Sequence, residues 1–405
     1  MLPVNGADPL ESVLHEVVEA LAPLDRTPCS EGEREAALWL SERLGESAAV
    51  ELQDEPSWGT FPPTSTVLGL LGVLGAALAL GGRRAQGGAL AALSLAGIVD
   101  EAQNGPRLAR RLLRRRRQTV NVVARAGDPN AAQTLVLLAH HDAPQTGRIF
   151  DQSLQRRIYE RWPERLSGAK TSLPQWWIGL AGPLLTLAGA LRGRRGAAWG
   201  GLAIGALAVA VIADVWRSPT VPGANDNLSG VAVLVALAEL LRAEPPAGLR
   251  VLLVSCGAEE TLQDGIRAFV RRHRGTLDPE QTCFVNLDTV GSPHLAMVEA
   301  EGPVWMEEYA GLWLRDRLAE LAAELGIPLE RGFRARASTD SVIPSRAGYP
   351  IATLVSITDW RSLANYHLPS DVPGNLDYAT VARAARLVHG LVEDLAGRRV
   401  VPLRS

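Results

Sequence analysis

Two histidines and three carboxylates, spread over most of the chain, each lie in a short peptide that could contribute to a metal site. These residues are His140, Asp226, Glu260, Asp288 and His367. Three of them end or closely follow an apolar run typical of a buried strand. Imidazole and carboxylate groups are usual zinc ligands, and a shared carboxylate suits a site with two metal ions. The pattern therefore predicts one metal centre built from all five residues.

Neighbouring residues in the same peptides could supply the remaining chemistry of a hydrolytic centre. Asp142 lies two residues after His140, so an extended strand places both side chains on one side, where the carboxylate can orient the imidazole. Glu259 precedes Glu260 after a buried run, and one glutamate could bind metal while the other takes a proton from water. Asp226, considered alone, could equally cap the helix that follows it.

Composition limits the kinds of partner that the chain can have. The 405 residues carry a formal net charge of −3, whereas phosphate-binding proteins usually carry a basic excess, so nucleic acid is not expected as a partner. Cys29, Cys256 and Cys283 are too few for a disulfide framework and are expected to be free thiols in a reduced compartment. Residues 1–20 are acidic and amphipathic, unlike a secretory signal peptide.

Two pairs of apolar runs approach the length of membrane helices. Residues 173–191 and 196–213 are nearly continuous apolar runs around an arginine-rich turn, and each approaches the roughly 20 residues needed to cross a bilayer. Residues 66–82 and 87–99 form a weaker pair, because the second run is short for a span. Buried core helices are the alternative. The pattern predicts an integral membrane protein that contacts the lipid bilayer, in a bacterial-type inner or plasma membrane.

Outside these pairs, strand-like and helix-like segments alternate. This alternation predicts an α/β fold with a mainly parallel sheet covered on both faces, in which ligands bind beyond the carboxyl ends of the strands. The expected strands lie near residues 49–52, 119–124, 135–139, 250–255, 283–287 and 351–356, and the helices near 30–44, 228–242, 304–325 and 378–396.

Three kinds of segment follow from these patterns. The catalytic domain is expected to comprise residues 1–60, 118–142 and 218–405. Residues 61–117 would contain the first apolar hairpin and a basic segment, and residues 143–217 an insertion with the second hairpin.

The five peptides resemble those of the co-catalytic zinc aminopeptidase family, whose relatives include glutamate carboxypeptidase, the glutaminyl cyclases and the transferrin receptor ectodomain. The peptides are TLVLLAHHDA, GANDNLSGVA, VSCGAEE, FVNLDTVGS and NYHLPSDVPGNLDY. The resemblance implies a mixed, mostly parallel sheet between helices and two Zn²⁺ ions per chain. Asp226 would bridge the ions, with His140 and Asp288 on one ion and Glu260 and His367 on the other.

The same resemblance implies roles for three further residues. Glu259 would be the general base, Asp142 the partner of the first histidine, and Tyr366 a donor to the tetrahedral oxyanion. The sequence differs from the family at Ser341, which stands where a histidine is usual; that position is not a metal ligand, so the difference concerns substrate fit.

These observations favour a membrane-embedded aminopeptidase that hydrolyses an N-terminal peptide bond in a peptide or amino-acid amide. Three alternatives remain: a deacylase or other amidohydrolase acting on a hydrophobic amide, a one-zinc enzyme like the glutaminyl cyclases, and a non-catalytic membrane scaffold. The sequence contains no signal for an oligomeric state.

Arginines near the apolar pairs predict the side of the membrane on which the catalytic domain lies. Seven arginines in residues 107–117, together with Arg217, lie on the domain side of the pairs. The five in the hairpin tips are Arg83, Arg84, Arg192, Arg194 and Arg195. Because positive residues favour the cytoplasmic side, the larger cluster predicts a cytoplasmic catalytic domain.

Overall fold

Apolar runs form the parallel centre of a nine-stranded mixed sheet in the computed structural model, which describes residues 9–397. The strands are β1 (Ala49–Ser57), β2 (Arg117–Gly127), β3 (Gln133–His140), β4 (Leu249–Cys256), β5 (Thr282–Leu287), β6 (His294–Glu301), β7 (Glu307–Glu308), β8 (Glu330–Ala335) and β9 (Ile351–Ile357). Their order is β1-β2-β4-β3-β5-β9-β6-β7, with β8 paired to β6. Strands β4, β3, β5 and β9 run parallel, so their carboxyl ends meet at one edge.

Helices cover both faces of this sheet, as the α/β prediction requires. They are α1 (Pro9–Leu21), α2 (Glu31–Gly45), α3 (Pro62–Leu80), α4 (Arg84–Ala102), α5 (Leu108–Leu113), α6 (Ser153–Arg161), α7 (Pro163–Leu166), α8 (Trp177–Arg192), α9 (Arg195–Arg217), α10 (Ser229–Ala243), α11 (Asp264–His273), α12 (Leu312–Glu324), α13 (Val342–Arg346) and α14 (Tyr378–Gly397). The core on one face includes α1, α2, α10, α12 and α14, and the core on the other includes α11 and α13. Every residue of β3 is buried, as expected for a parallel strand between two helical layers.

The predicted strands and three of the four predicted helices are confirmed, with longer or slightly shifted ends. The helix predicted over residues 304–325 is wrong in its first part: residues 307–308 pair with β6, and the helix begins only at Leu312. Strands β6, β7 and β8 were not predicted. Strand pairing at the end of the sheet overrides the helical preference expected for residues 304–311. The sequence alone does not reveal this pairing.

The two apolar pairs form a four-helix bundle of α3, α4, α8 and α9. Gly193, in the second hairpin tip, lies beside the guanidinium of Arg84, in the first, so both tips lie at the same end of the bundle. In the described part of the chain, three helical stretches are long and apolar enough to cross a membrane: 62–80, 195–217 and 224–243. The third is 89% buried, in the core beside the sheet, whereas the second is only 17% buried.

Glycines allow the helices of the bundle to cross at close range. Gly75 of α3 faces the backbone of Gly87 in α4, where an added Cβ would lie only 2.7 Å from a carbonyl oxygen. Gly182 of α8 meets Gly205 of α9 in the same way, with an added Cβ 2.7 Å from the facing Cα. Small residues at helix crossings are typical of association within a membrane, where close backbone packing replaces the hydrophobic effect.

Candidate metal centre

The fold brings the five predicted metal ligands to one edge of the sheet. His140 is the last residue of β3, Asp288 directly follows β5, and Glu260 lies in a short turn after β4. Asp226 lies in the turn before α10, and His367 lies in the loop after β9. Because β3, β4, β5 and β9 are parallel, their carboxyl ends deliver these side chains to a common point.

Asp226 lies at the centre of this group. Its Oδ1 is 3.3 Å from Nε2 of His140, and its Oδ2 is 3.3 Å from Nε2 of His367. Nε2 of His367 is also 3.5 Å from Oε1 of Glu260. Two sets of possible ligand atoms, each within 4.8 Å of one another, share Asp226: one adds His140 and Asp288, the other adds Glu260 and His367. This arrangement could hold two cations with Asp226 between them.

The cluster concentrates negative charge in a buried place. Burial raises the pKa of Glu259 and Glu260 well above the ordinary value and that of Asp288 to about 6. Burial also opposes ionisation of Asp226, but the adjacent imidazoles of His140 and His367 outweigh this effect and lower the pKa of that carboxyl. A cation would relieve the repulsion among these groups.

Polar atoms left without partners are consistent with metal ligation. Oδ2 of Asp226 and both ring nitrogens of His367 are buried and have no hydrogen-bond partner among the described residues. Buried polar atoms normally find a partner, so unsatisfied ones often mark an ion. The donor set of two imidazoles and three carboxylates therefore fits zinc.

Asp142 contacts both His140 and the turn after β4 that carries Glu259 and Glu260, here called the glutamate turn. One of its carboxylate oxygens is 3.4 Å from Nδ1 of His140, the contact that the sequence led us to expect. The same carboxylate accepts the backbone N–H of Glu259 at 3.0 Å and that of Glu260 at 2.9 Å. Asp142 thus orients the backbone of the predicted base as well as the predicted ligand, a second contact that the sequence pattern did not indicate.

Asp371 positions the turn that carries Asp226. It accepts the backbone N–H of Asn225 at 2.7 Å and that of Asp226 at 3.1 Å. Asn227 continues the same network, because its Oδ1 accepts the N–H of Gly230 and that of Thr289. Sequence reasoning missed Asp371, although it lies in the same loop peptide as His367.

Backbone strain is concentrated around the cluster. Ala258, Leu262, Gln263, Thr289 and His367 all have φ between 52° and 67°, although none is glycine. Such conformations cost of the order of 1–3 kcal/mol each and persist where the surrounding structure fixes them, commonly at functional sites.

Aromatic and amide side chains complete the surroundings. The ring of Tyr366 lies 4.0 Å from that of His367, and the ring of Phe150 lies 4.3 Å from it on another side. Burial raises the pKa of Tyr366, so its phenol stays protonated and can donate a hydrogen bond. Gln263 donates to Oε1 of Glu259 at 2.6 Å. The sequence pattern did not single out Phe150 or Gln263.

Two arginines from the segment after α4 donate hydrogen bonds to backbone carbonyls at the end of the glutamate turn. Arg107 donates to the carbonyls of Thr261 and Leu262 at 3.1 and 2.9 Å and pairs with Asp264. Arg110 is fully buried; it pairs with Glu101 of α4 and also donates to the Thr261 carbonyl. Part of the basic segment therefore belongs to the interior and links the helix bundle to the turn that carries Glu259 and Glu260.

Comparison with known proteins supports this fold. Residues 208–392 match a family described as peptidase family M28. Among solved structures, similar folds occur in Tannerella forsythia glutaminyl cyclase (15% identity, TM-score 0.55, 95% of this chain and 98% of that one), a leucine aminopeptidase precursor from Bacteroides thetaiotaomicron (14%, 0.54, 97% and 99%) and a Zn-dependent exopeptidase from Parabacteroides distasonis (14%, 0.53, 96% and 98%). No curated protein sequence matches the chain.

The buried ion pair between Arg110 and Glu101 leads to a prediction about the stability of the protein. Arg110→Met leaves Glu101 buried without its cation, so we expect a loss of about 3–5 kcal/mol in the free energy of unfolding. Exposed Arg111 is in the same segment, and Arg111→Met should change stability by less than about 0.5 kcal/mol. Thermal unfolding of the detergent-solubilised variants measures both.

A double variant separates charge from packing. Arg110→Met combined with Glu101→Leu removes both buried charges and should recover much of the lost stability, because two apolar side chains can replace a buried ion pair. If Arg110→Met alone unfolds like the unchanged protein, the link between the bundle and the turn is not a stabilising contact.

Proposed function

Residues 208–392 belong to peptidase family M28, and from this premise we propose that the protein is a membrane-embedded two-zinc metallopeptidase that hydrolyses an N-terminal peptide bond. The family match makes the chain a zinc metallopeptidase of exopeptidase or glutaminyl-cyclase-like type. The observation that carries the finer proposal is the pair of ligand sets that share Asp226. A shared carboxylate is the arrangement that two adjacent dications require.

In the proposed mechanism, two bound zinc ions would lower the pKa of a water molecule and polarise the scissile carbonyl. Glu259 accepts the proton of the attacking water and later delivers it to the leaving amine. Asp142 holds the backbone of this glutamate, and Gln263 holds its side chain. Tyr366 donates to the oxyanion that develops on the carbonyl oxygen when water attacks the carbon.

The membrane part of the proposal rests on the outer surface of the bundle. Leu70, Leu74, Leu93, Leu184 and Leu207 are each at least half-exposed there. Helix α9 has 23 residues, about 35 Å at the rise of an α-helix, which exceeds the roughly 30 Å of a bilayer core. Lipid would remove this apolar surface from water.

We further propose the domain division expected from the sequence. Residues 1–60, 118–142 and 218–405 form the catalytic domain, of which the structure describes 9–60, 118–142 and 218–397. Residues 61–117 contain α3, α4 and α5, and residues 143–217 contain α6 to α9.

A second candidate function is removal of an acyl group from a hydrophobic amide. The observation that favours it is an apolar cavity in the bundle that reaches Glu259 and Glu260. The chemistry at the metals is the same, because an acyl amide and a peptide bond both undergo attack by water at a carbonyl carbon.

Metal content is the first test. The protein purified without chelators should contain close to two zinc ions per chain by elemental analysis, because three carboxylates compensate most of the charge of two dications. Asp226→Asn should reduce occupancy more than Asp142→Asn, which only loosens orientation, typically by about 10–100-fold in affinity or activity. One metal with full activity would instead favour the cyclase-like alternative, and none would favour a scaffold.

The two adjacent glutamates should behave differently. Glu259→Gln retains a group that can accept the hydrogen bond from Gln263 but cannot take a proton, so zinc should remain while turnover falls by about 10²–10⁴-fold. Glu260→Gln is the matched change and should lose metal from one half of the site. Kinetics on aminoacyl amides, with elemental analysis of each variant, measure both effects. Near-normal turnover in Glu259→Gln would remove it as the base.

We propose that the catalytic domain lies on the cytoplasmic side of a bacterial-type inner or plasma membrane. This prediction compares the arginines on the domain side of the helix pairs with those in the hairpin tips. The structure reduces the excess on the domain side, because Arg107 and Arg110 are buried. Five arginines of residues 107–117 then remain at the surface, equal to the five in the hairpin tips, and Arg217 is the difference.

Two matched glycines test the orientation. An added Cβ has no neighbour within 4 Å at Gly275, in the catalytic domain, or at Gly196, near the second hairpin tip. In a background without the three native cysteines, a membrane-impermeant thiol reagent should label Gly196→Cys in intact cells. It should label Gly275→Cys only after permeabilisation. The reverse pattern would place the domain outside.

A further inference from the structure

The apolar cavity inside the helix bundle ends at the candidate metal centre. About 160 Å³ of it is open to the centre of a water-sized molecule, and its walls come from α3, α4, α8 and α9. Glu259, Glu260, Tyr366 and His367 line it where it meets the catalytic domain. The groups proposed to cleave the substrate therefore lie at the end of a chamber formed by membrane-type helices.

This cavity extends farther along the helices than an amino-acid side chain reaches. Helix α9 lines it from Val215 to Gly205, about 15 Å at 1.5 Å per residue. Helix α3 lines it from Gly69 back to Phe61, just before the first turn of the helix, about 12 Å by the same measure. A side chain of a peptide would fill only part of this length, whereas an extended hydrocarbon chain can fill all of it.

The chemical character of the lining changes along the cavity. Among the described residues that line it, the carboxylates are those of Glu259 and Glu260, both at the metal centre. The bundle supplies apolar and small residues, such as Val209, Ile212 and Gly179. An occupant must therefore have a polar, reactive end and a long apolar end.

A second cavity, of about 140 Å³ by the same measure, meets the centre from the catalytic domain and shares Glu259, Glu260 and Tyr366 with the first. Two arginines line it. Arg361 pairs with Glu330, whereas Arg336 has no carboxylate partner in the described part of the chain and lies over the ring of Trp177 at 5.5 Å. The second cavity is therefore suited to a polar group, and the guanidinium of Arg336 could bind an anionic group there.

We propose that the substrate is an amino acid or short peptide whose amino group carries a long-chain acyl group. The hydrocarbon chain occupies the bundle cavity, the acyl amide lies at the metal centre, and the amino-acid part with its carboxylate lies towards Arg336. This inference rests on the second candidate function, removal of an acyl group from a hydrophobic amide, and specifies that amide; the bond cleaved is then the acyl amide and not an N-terminal peptide bond.

The reaction is balanced with water alone. A C–O bond forms between the water oxygen and the acyl carbonyl carbon, and the C–N bond of the amide breaks. One proton of the water passes through Glu259 to the leaving nitrogen, and the other, released when the new carboxylic acid ionises, completes the ammonium group. The products are a fatty acid carboxylate and an amino acid or peptide with a free, protonated amino group.

A chain-length series tests the proposal with the full-length protein in lipid nanodiscs. We expect kcat/KM for dodecanoyl-glycine to exceed that for butanoyl-glycine by at least about 100-fold, because each buried methylene contributes roughly fourfold. Dodecanoyl-glycine amide, which lacks the carboxylate, should be cleaved more slowly than dodecanoyl-glycine. Arg336→Gln should abolish that difference without changing the dependence on chain length.

A pair of glycine variants locates the chain. Gly179 lines the cavity, and an added Cβ there would lie 3.9 Å from its nearest neighbour, in Ile98. Gly179→Phe should therefore insert a ring into the cavity and shift the preferred chain to shorter lengths. Gly200→Phe is the control, since Gly200 is in the same bundle but does not line the cavity, and its added Cβ would meet only Leu185, at 3.6 Å. This control should leave the chain-length profile unchanged.

Binding without turnover separates this proposal from the proposed function. With Glu259→Gln, the Kd for acyl-glycines should fall with chain length, and Gly179→Phe should weaken binding of the long chains. If acetyl-, butanoyl- and dodecanoyl-glycine react and bind alike, or if only amides with a free amino group are cleaved, the acyl-chain assignment is wrong while amide hydrolysis stands. If the protein holds two zinc ions and cleaves no amide of either kind, both proposals fail.

Discussion

The mutual repulsion of carboxylates gathered in a buried place is the constraint on which the rest of the structure depends. Asp226, Glu259, Glu260 and Asp288 converge where water is scarce, and two imidazoles offset only part of their charge. Such a cluster is costly without cations. The parallel strands that deliver these side chains, the strained turns that aim them and the buried hydrogen bonds that Asp142 and Asp371 accept all hold together groups that would otherwise separate.

Sequence patterns predicted the parts of this arrangement that are encoded locally. Apolar runs predicted β3, β4, β5 and β9, and a histidine or carboxylate just beyond a run indicated what lies at the carboxyl end of a strand. The pairs of apolar runs likewise predicted four helices within a few residues. Contacts between distant segments were not accessible, because nothing near Asp371 shows that its carboxylate accepts the N–H of Asp226. Phe150 was missed for the same reason: it comes from a segment that the sequence describes only as an insertion.

The arginine segment shows how identical residue types can have different physical roles. In residues 107–117 the sequence contains seven arginines that look alike, and a rule based on membrane orientation counts them equally. In the structure, Arg107 and Arg110 are buried against carboxylates and backbone carbonyls, whereas Arg111 is exposed. Their spacing of three residues does not separate them from the others, because Arg111 and Arg114 have the same spacing and are not buried.

The hydrogen bonds from Arg107 and Arg110 to the Thr261 carbonyl have a consequence for how this protein could diverge. In a protein whose membrane anchor is joined only by a flexible linker, the anchor can be lost and a working soluble enzyme remains. Here the segment that follows the first hairpin donates hydrogen bonds to the glutamate turn. The second insertion contributes Phe150, whose ring lies beside that of His367. A lineage that lost either insertion would have to rebuild the candidate site as well, so the helix bundle and this site are inherited together.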